Sequence, residues 1–202
     1  NVLTKKKLTL LERLLKRLGV NIKETVYDVL YGSRNVVKNK AFDDPKGGDH
    51  FYDYDLWSEI KNEIGDLVPK GFTLYGELLG YDKNGGFIQK GFDYGCSPTG
   101  YPNPQNKMEV YRITQTNEDG LVTELSQPDM IDFCNSVGLK TPYLFFHGKA
   151  KDFYNTGYIT CLETWSKNFV KKIEELYNEH DCYMCNNAVP EEGVVIRKEK
   201  LI

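Results

Sequence analysis

The stretch MEVYRITQTNEDGLVTELS, residues 108–126, constrains this chain most. Two β-prone runs flank Asn117-Glu118-Asp119-Gly120, a turn signal that brings neighbouring strands back on each other. A second β-prone run, FTLYGELLGYD from Phe72, sets Phe72, Leu74 and Gly76 on one parity and Thr73, Tyr75 and Glu77 on the other. Successive strand residues point to opposite faces, so Glu77 is expected on the face opposite Leu74. The run ends at a hairpin-type turn in KNGGF, residues 83–87. Hairpins of this kind favour antiparallel sheets.

Helical segments are interspersed without strict alternation. Leu11, Leu14, Leu15 and Leu18 recur at helical spacing before Gly19, a natural stop. Asp55 is placed to cap a helix running to about Ile64, and Pro69-Lys70-Gly71 makes a turn. Pro128–Val137 reads as a short helix closed by Gly138, with Ile131, Phe133 and Val137 expected to pack. Leu162–Glu179 reads as a helix with Phe169, Ile173, Leu176 and Tyr177 on one face. Strand-like pieces lie between Val26 and Val37 around a turn at Gly32-Ser33. Further strands are expected in YLFFHGKA, residues 143–150, and from about Gly193. The acidic FDDPKGGDHFYDYD and the Pro/Gly-rich CSPTGYPNPQN read as loops. The class is α+β, with mostly antiparallel sheets and flanking helices.

A hydrophobic content of 40% supplies a core, and a formal charge of -3 supplies no global basic signature. A nucleic-acid partner therefore needs a local basic patch; Lys5-Lys6-Lys7 and Lys198–Lys200 are candidates, although such runs are more often solvated surface. No run approaches the roughly 18 apolar residues needed to span a bilayer, so no membrane partner is expected. Five cysteines at irregular spacing favour a reducing, cytoplasmic setting over a disulfide scaffold. Cys182 and Cys185, with His180 ahead of them, have zinc-knuckle spacing. Structural zinc wants four ligands, and no second paired motif exists, so free thiols in a turn are the favoured reading.

Near the C-terminus, Glu191 and Glu192 precede Gly193 and the apolar Val194-Val195-Ile196. On an extended chain the two acids face opposite ways. Four segments then stand in order: YGSRNVVKN with Arg34, LYGELLGYD with Glu77, EVYRITQT with Tyr111, and EEGVVIRKE with Glu192. Together they resemble the covalent nucleotidyltransferase superfamily, and within it the ATP-dependent RNA ligases of the phage RNA ligase 2 type.

The resemblance implies a ligase adenylation-domain fold, ATP-grasp-like, with a nucleotide cleft and one domain over residues 1–202. It implies ATP and Mg2+ (or Mn2+) as cofactors, and RNA ahead of DNA as partner of a monomer. Glu77 is expected to accept hydrogen bonds from ribose hydroxyls. Tyr111 is expected to offer a face on which adenine stacks. Arg34 is expected to hold phosphate or the acceptor end by a forked contact. Glu192 rather than Glu191 is expected to hold the metal near the α-phosphate. Catalysis is thus assigned to Glu192 and Arg34.

The superfamily attacks ATP with a lysine in a Lys-x-x-Gly element. Lys16-Arg17-Leu18-Gly19 has that spacing, but Lys16 lies on the amphipathic helix, off its leucine face. The nucleophile is therefore expected before Asn1, and the last strand with its two lysines after Ile202, in an adenylation domain incomplete at both ends. Such a fragment alone would be inactive. The rivals are a DNA ligase or a capping guanylyltransferase, a non-catalytic nucleic-acid-binding module, and a zinc-stabilised module.

Overall fold

The computed structural model describes residues 1–33, 36–38, 56–155, 157, 161–177 and 180–199. The chain divides into two compact units. The first comprises Asn1–Glu77 and Val110–Leu139, the second Leu78–Glu109 and Lys140–Ile202. The architecture is mixed α and β, with antiparallel pairing and flanking helices.

In the first unit, β1 (Val2–Lys5) pairs antiparallel with β2 (Thr25–Asp28), and β3 (Tyr31–Ser33) with β4 (Val36–Lys38). Gly32 and Ser33 are therefore strand residues, not the expected turn. Between β1 and β2 lies α1 (Leu10–Arg17). Its start is dictated locally. Thr9 and Glu12 form a reciprocal capping box, and Lys6 also bonds Glu12. The Lys6 ammonium and the Thr9 donors hold the Glu12 carboxyl down at about 2. The leucine stripe is present but uncovered: Leu11, Leu14 and Leu18 are exposed, and α1 buries no residue.

Helix α2 (Leu56–Ile64) buries Leu56 and Ile60 and runs into a 3-10 turn at Gly65–Leu67. Its expected cap, Asp55, lies outside the described residues.

The main sheet has the order β5-β6-β7, from β5 (Phe72–Gly80), β6 (Asn106–Thr116) and β7 (Val122–Glu124). The Asn117–Gly120 turn closes as the sequence requires. Asn117 Oδ1 accepts from the Asp119 and Leu121 N–H groups at 3.0 and 2.8 Å, and Thr114 sits opposite Glu124. Val110 and Ile113 are fully buried. Helix α3 (Gln127–Val137) is bounded by its sequence: Ser126 accepts from the Asp129 N–H, and Gly138 ends it in the left-handed region at φ 76°. Its deepest residues are Met130 and Cys134; the expected Ile131, Phe133 and Val137 are half-buried, with Phe133 against Phe72 at 5.7 Å.

In the second unit, α4 (Ala150–Phe153) and α5 (Leu162–Tyr177) are the helices, and Ile173 is the buried residue of α5. A chain of rings lines this unit: Phe146–Phe153, Phe153–Phe169 and the stacked Trp165–Phe169 pair at 5.2 Å. Two expectations fail here. Residues 141–147 form no strand, and residues 191–199 form none either. A β-branched run is strand-prone only where a partner edge meets it, and Val195 is 84% exposed. The apolar run after Glu192 therefore does not anchor a buried strand.

Among the described residues, no helix is long and apolar enough to cross a membrane.

Candidate functional site

The first unit carries two of the expected site residues. Glu77 is an exposed position on β5, and Tyr111 is a 47%-exposed position on β6. Their strands are neighbours in the sheet. Each stands next to a buried residue, Leu78 and Val110, so the backbone beneath them is fixed while the side chains reach solvent. Beside them, the Arg112 guanidinium lies 4.9 Å over the Tyr75 ring and pairs with Glu124 at 3.0 Å. A planar cation on an aromatic face with a carboxylate partner is a stable surface arrangement. The expected Arg34 lies outside the described residues.

Glu192 belongs to the second unit, and its surroundings are specific. The Gln89 amide donates to Glu192 Oε1. The Tyr94 hydroxyl stands 3.0 Å from Glu192 Oε2 and 2.7 Å from Gln89 Oε1. One hydroxyl proton is shared between those two acceptors. Tyr94 is buried, stacks on Phe92 at 5.5 Å and holds φ at 49°. That left-handed backbone costs a non-glycine residue about 1–2 kcal/mol. Ring packing and the hydroxyl contacts hold it there.

Next to Tyr94, Asp93 is a buried carboxylate. Its oxygens accept from the backbone N–H groups of Gly95 and Asn186, both at 2.8 Å, and of Asn187 at 3.1 Å. Asp93 therefore ties the loop before Gly95 to the turn Cys182–Cys185. Gly95 is required: at φ 75° an added Cβ would lie 3.0 Å from the Met184 carbonyl oxygen. The turn is closed by Cys182 N–H to the Val189 carbonyl at 2.7 Å and by an Asp181–Pro190 bridge.

Cys182 and Cys185 are free thiols in mutual contact. Burial, reinforced by the Cys182 contact, pushes Cys185 up to about 11. Among the described residues no three His, Cys, Asp or Glu side chains are grouped to hold a metal ion. Cys161, just before α5, is the opposite case: N–H groups of Thr164 and Glu163 and the Thr164 hydroxyl hold its thiol below the usual value.

The adjacent glutamates diverge in surroundings. Glu192 meets Gln89 and Tyr94. Glu191 donates its backbone N–H to the His180 carbonyl at 2.8 Å and lines a separate open cleft of about 410 Å³ with Tyr143, Tyr177 and Tyr183. The two neighbours thus meet different groups, although the segment forms no strand.

Sequence reasoning missed Gln89, Asp93 and Tyr94. Only the Asp-Tyr-Gly tripeptide, a turn signature, hinted at the last two. The Pro/Gly loop at 96–106 is pinned by Ser97 Oγ to the Tyr101 carbonyl at 2.7 Å and Gln105 Nε2 to the Pro98 carbonyl at 2.9 Å.

No known protein family, curated protein or solved structure matches this chain.

Proposed function

We propose that this chain is part of the nucleotidyltransferase core of an ATP-dependent polynucleotide ligase, acting on RNA ahead of DNA. The observation that carries this reading is the placement of Glu77 and Tyr111, accessible on neighbouring strands of one sheet above buried Leu78 and Val110. A carboxylate fixed on a strand suits ribose hydroxyls, and an exposed tyrosine ring suits adenine.

Glu192 supports the reading in its own unit. The oxygens gathered there, from Glu192, Gln89 and Tyr94, are the donor type a hard cation takes. Mg2+ is commonly held by one or two carboxylates with phosphate and water, so a lone glutamate fits it. Glu192 would hold the ion, with Gln89 and Tyr94 orienting its carboxylate. When bound, Mg2+ would neutralise charge on the phosphates. The chain's own residues bind and position the nucleotide, which is most of what phosphoryl chemistry asks of a protein. Arg34 remains the proposed phosphate contact.

The reaction proposed is transfer of AMP to a lysine with loss of pyrophosphate, then to a 5′-phosphate end, which a 3′-hydroxyl attacks. The test incubates a form of the protein that carries a Lys-x-x-Gly element with labelled ATP and Mg2+ and runs it on a denaturing gel. Covalent label on the protein, lost on Lys→Ala in that element, is the expected result. No label with ATP sinks the reading; label with GTP alone makes the protein a guanylyltransferase.

A further inference from the structure

The cleft beside Glu191 is unused by the proposed nucleotide chemistry and has a composition of its own. Its floor is aromatic. Tyr143, Phe145 and Tyr183 meet edge to face, with interplanar angles of 75°, 63° and 85° for the three pairs and centroids 5.0, 5.6 and 6.2 Å apart. Phe145 also packs on Tyr177 of α5 at 4.6 Å. The rings are not saturated by these contacts: Tyr143 is 63% exposed and Tyr183 57%. Asp181 and Glu191 bring carboxyl groups to the lining, His180 and Leu176 complete it, and among the described residues no lysine or arginine lines the cleft.

This combination selects by charge. Exposed ring faces attract cations through their quadrupole, and two carboxylates add to that attraction. The same carboxylates oppose a polynucleotide backbone, although stacked rings alone would suit bases. The shape of the cation follows from the ring packing. With centroids 5–6 Å apart, the rings pack on one another and do not form a cage around a spherical trimethylammonium group. A flat group lying over an exposed face, with its edge turned to a carboxylate, needs no void. The first unit already contains such an arrangement, with Arg112 over Tyr75 and paired with Glu124.

We infer that the cleft formed by Tyr143, Phe145, Tyr177 and Tyr183, with Asp181 and Glu191 on its rim, is a binding site for a guanidinium group, the arginine side chain of a peptide partner. The inference lies within the second unit and does not depend on the ligase reading.

The test is titration of the 202-residue chain with N-acetyl-arginine methylamide, followed by NMR. Parallel titrations use N-acetyl-lysine methylamide, tetramethylammonium and GMP. The expected result is saturable arginine binding that shifts Tyr143 and Tyr183 resonances, at least about fivefold tighter than the other three probes. Glu191→Gln and Tyr143→Ala should each weaken it by about three- to tenfold. Both positions border open solvent, and an unchanged thermal melt confirms that each variant is folded. Equal affinity for lysine or tetramethylammonium, tighter GMP binding at the same rings, or arginine binding indifferent to both variants overturns the inference. So does the absence of saturable arginine binding to the wild-type chain.

Discussion

The strand FTLYGELLG and the segment EEGVVI present the same pattern to a reader of the sequence: a glutamate, a glycine and an apolar run. They end in different structural states. The first is β5, hydrogen-bonded into the main sheet and burying Leu78 and Leu79. The second forms no strand, and its Val195 and Ile196 are largely exposed. Composition cannot separate them, because strand formation depends on an edge to pair with. β5 has β6 beside it. The chain after Pro190 has a bridge at Asp181–Pro190 and then no pairing among the described residues. Glu192 is nevertheless held in place, by side chains instead of a ladder.

The largest expected effect concerns function. In any form of the protein that takes covalent label from ATP, Glu192→Ala should lower formation of the AMP adduct by on the order of 100-fold, as expected for loss of a metal-holding group. Glu191→Ala should leave most of it. Equal losses on a quantitative gel would erase the distinction between the neighbours.

Stability gives the next contrast. Ile113 on β6 is fully buried, so Ile113→Ala should cost about 2–5 kcal/mol by urea unfolding. Val195→Ala should stay within about 0.5 kcal/mol. A large cost at Val195 would mean that the C-terminal run is covered after all.

A smaller effect tests whether the turn before Glu191 is ordered by Asp93. Asp93→Asn replaces a carboxylate that accepts three backbone N–H groups, and should cost about 1–3 kcal/mol in the same assay. It should also speed hydrogen exchange at Asn186 and Asn187. Unchanged exchange would show that the turn holds itself.

A last contrast is chemical. At pH 8, iodoacetamide should label Cys161 more than about 100-fold faster than Cys185, because thiolate is the reacting form and Cys185 is raised to about 11. Comparable rates by mass spectrometry would contradict the buried setting of Cys185.

What the sequence disclosed follows from how local each cause is. Helix α3 was legible because Pro128 and Gly138 mark its ends locally, while its Ser126 cap emerged only from the structure. The hairpin at Asn117–Gly120 was legible for the same reason. Its side chain makes the turn by itself. The positions of Glu77 and Tyr111 on strands were legible from alternation. Covering partners were not. The leucines of α1 read as one helical face, yet Leu11, Leu14 and Leu18 are exposed, since periodicity defines a face but not what meets it. The aromatic run Tyr143–Phe146 read as a strand, yet Tyr143 and Phe145 pack on Tyr183 and Tyr177, contacts far away in the chain. Gln89, Asp93 and Tyr94 were hidden for the same reason, because their partners lie roughly a hundred residues on.

The nucleotide account is tested most directly by titrating the 202-residue chain with ATP and Mg2+ while its backbone and tyrosine resonances are followed. The account predicts that signals of Glu77 and Tyr111 move together and fit one dissociation constant, and that Tyr111→Ala weakens it. ATP that leaves Glu77 and Tyr111 unmoved, or that shifts the two with unrelated constants, would contradict it.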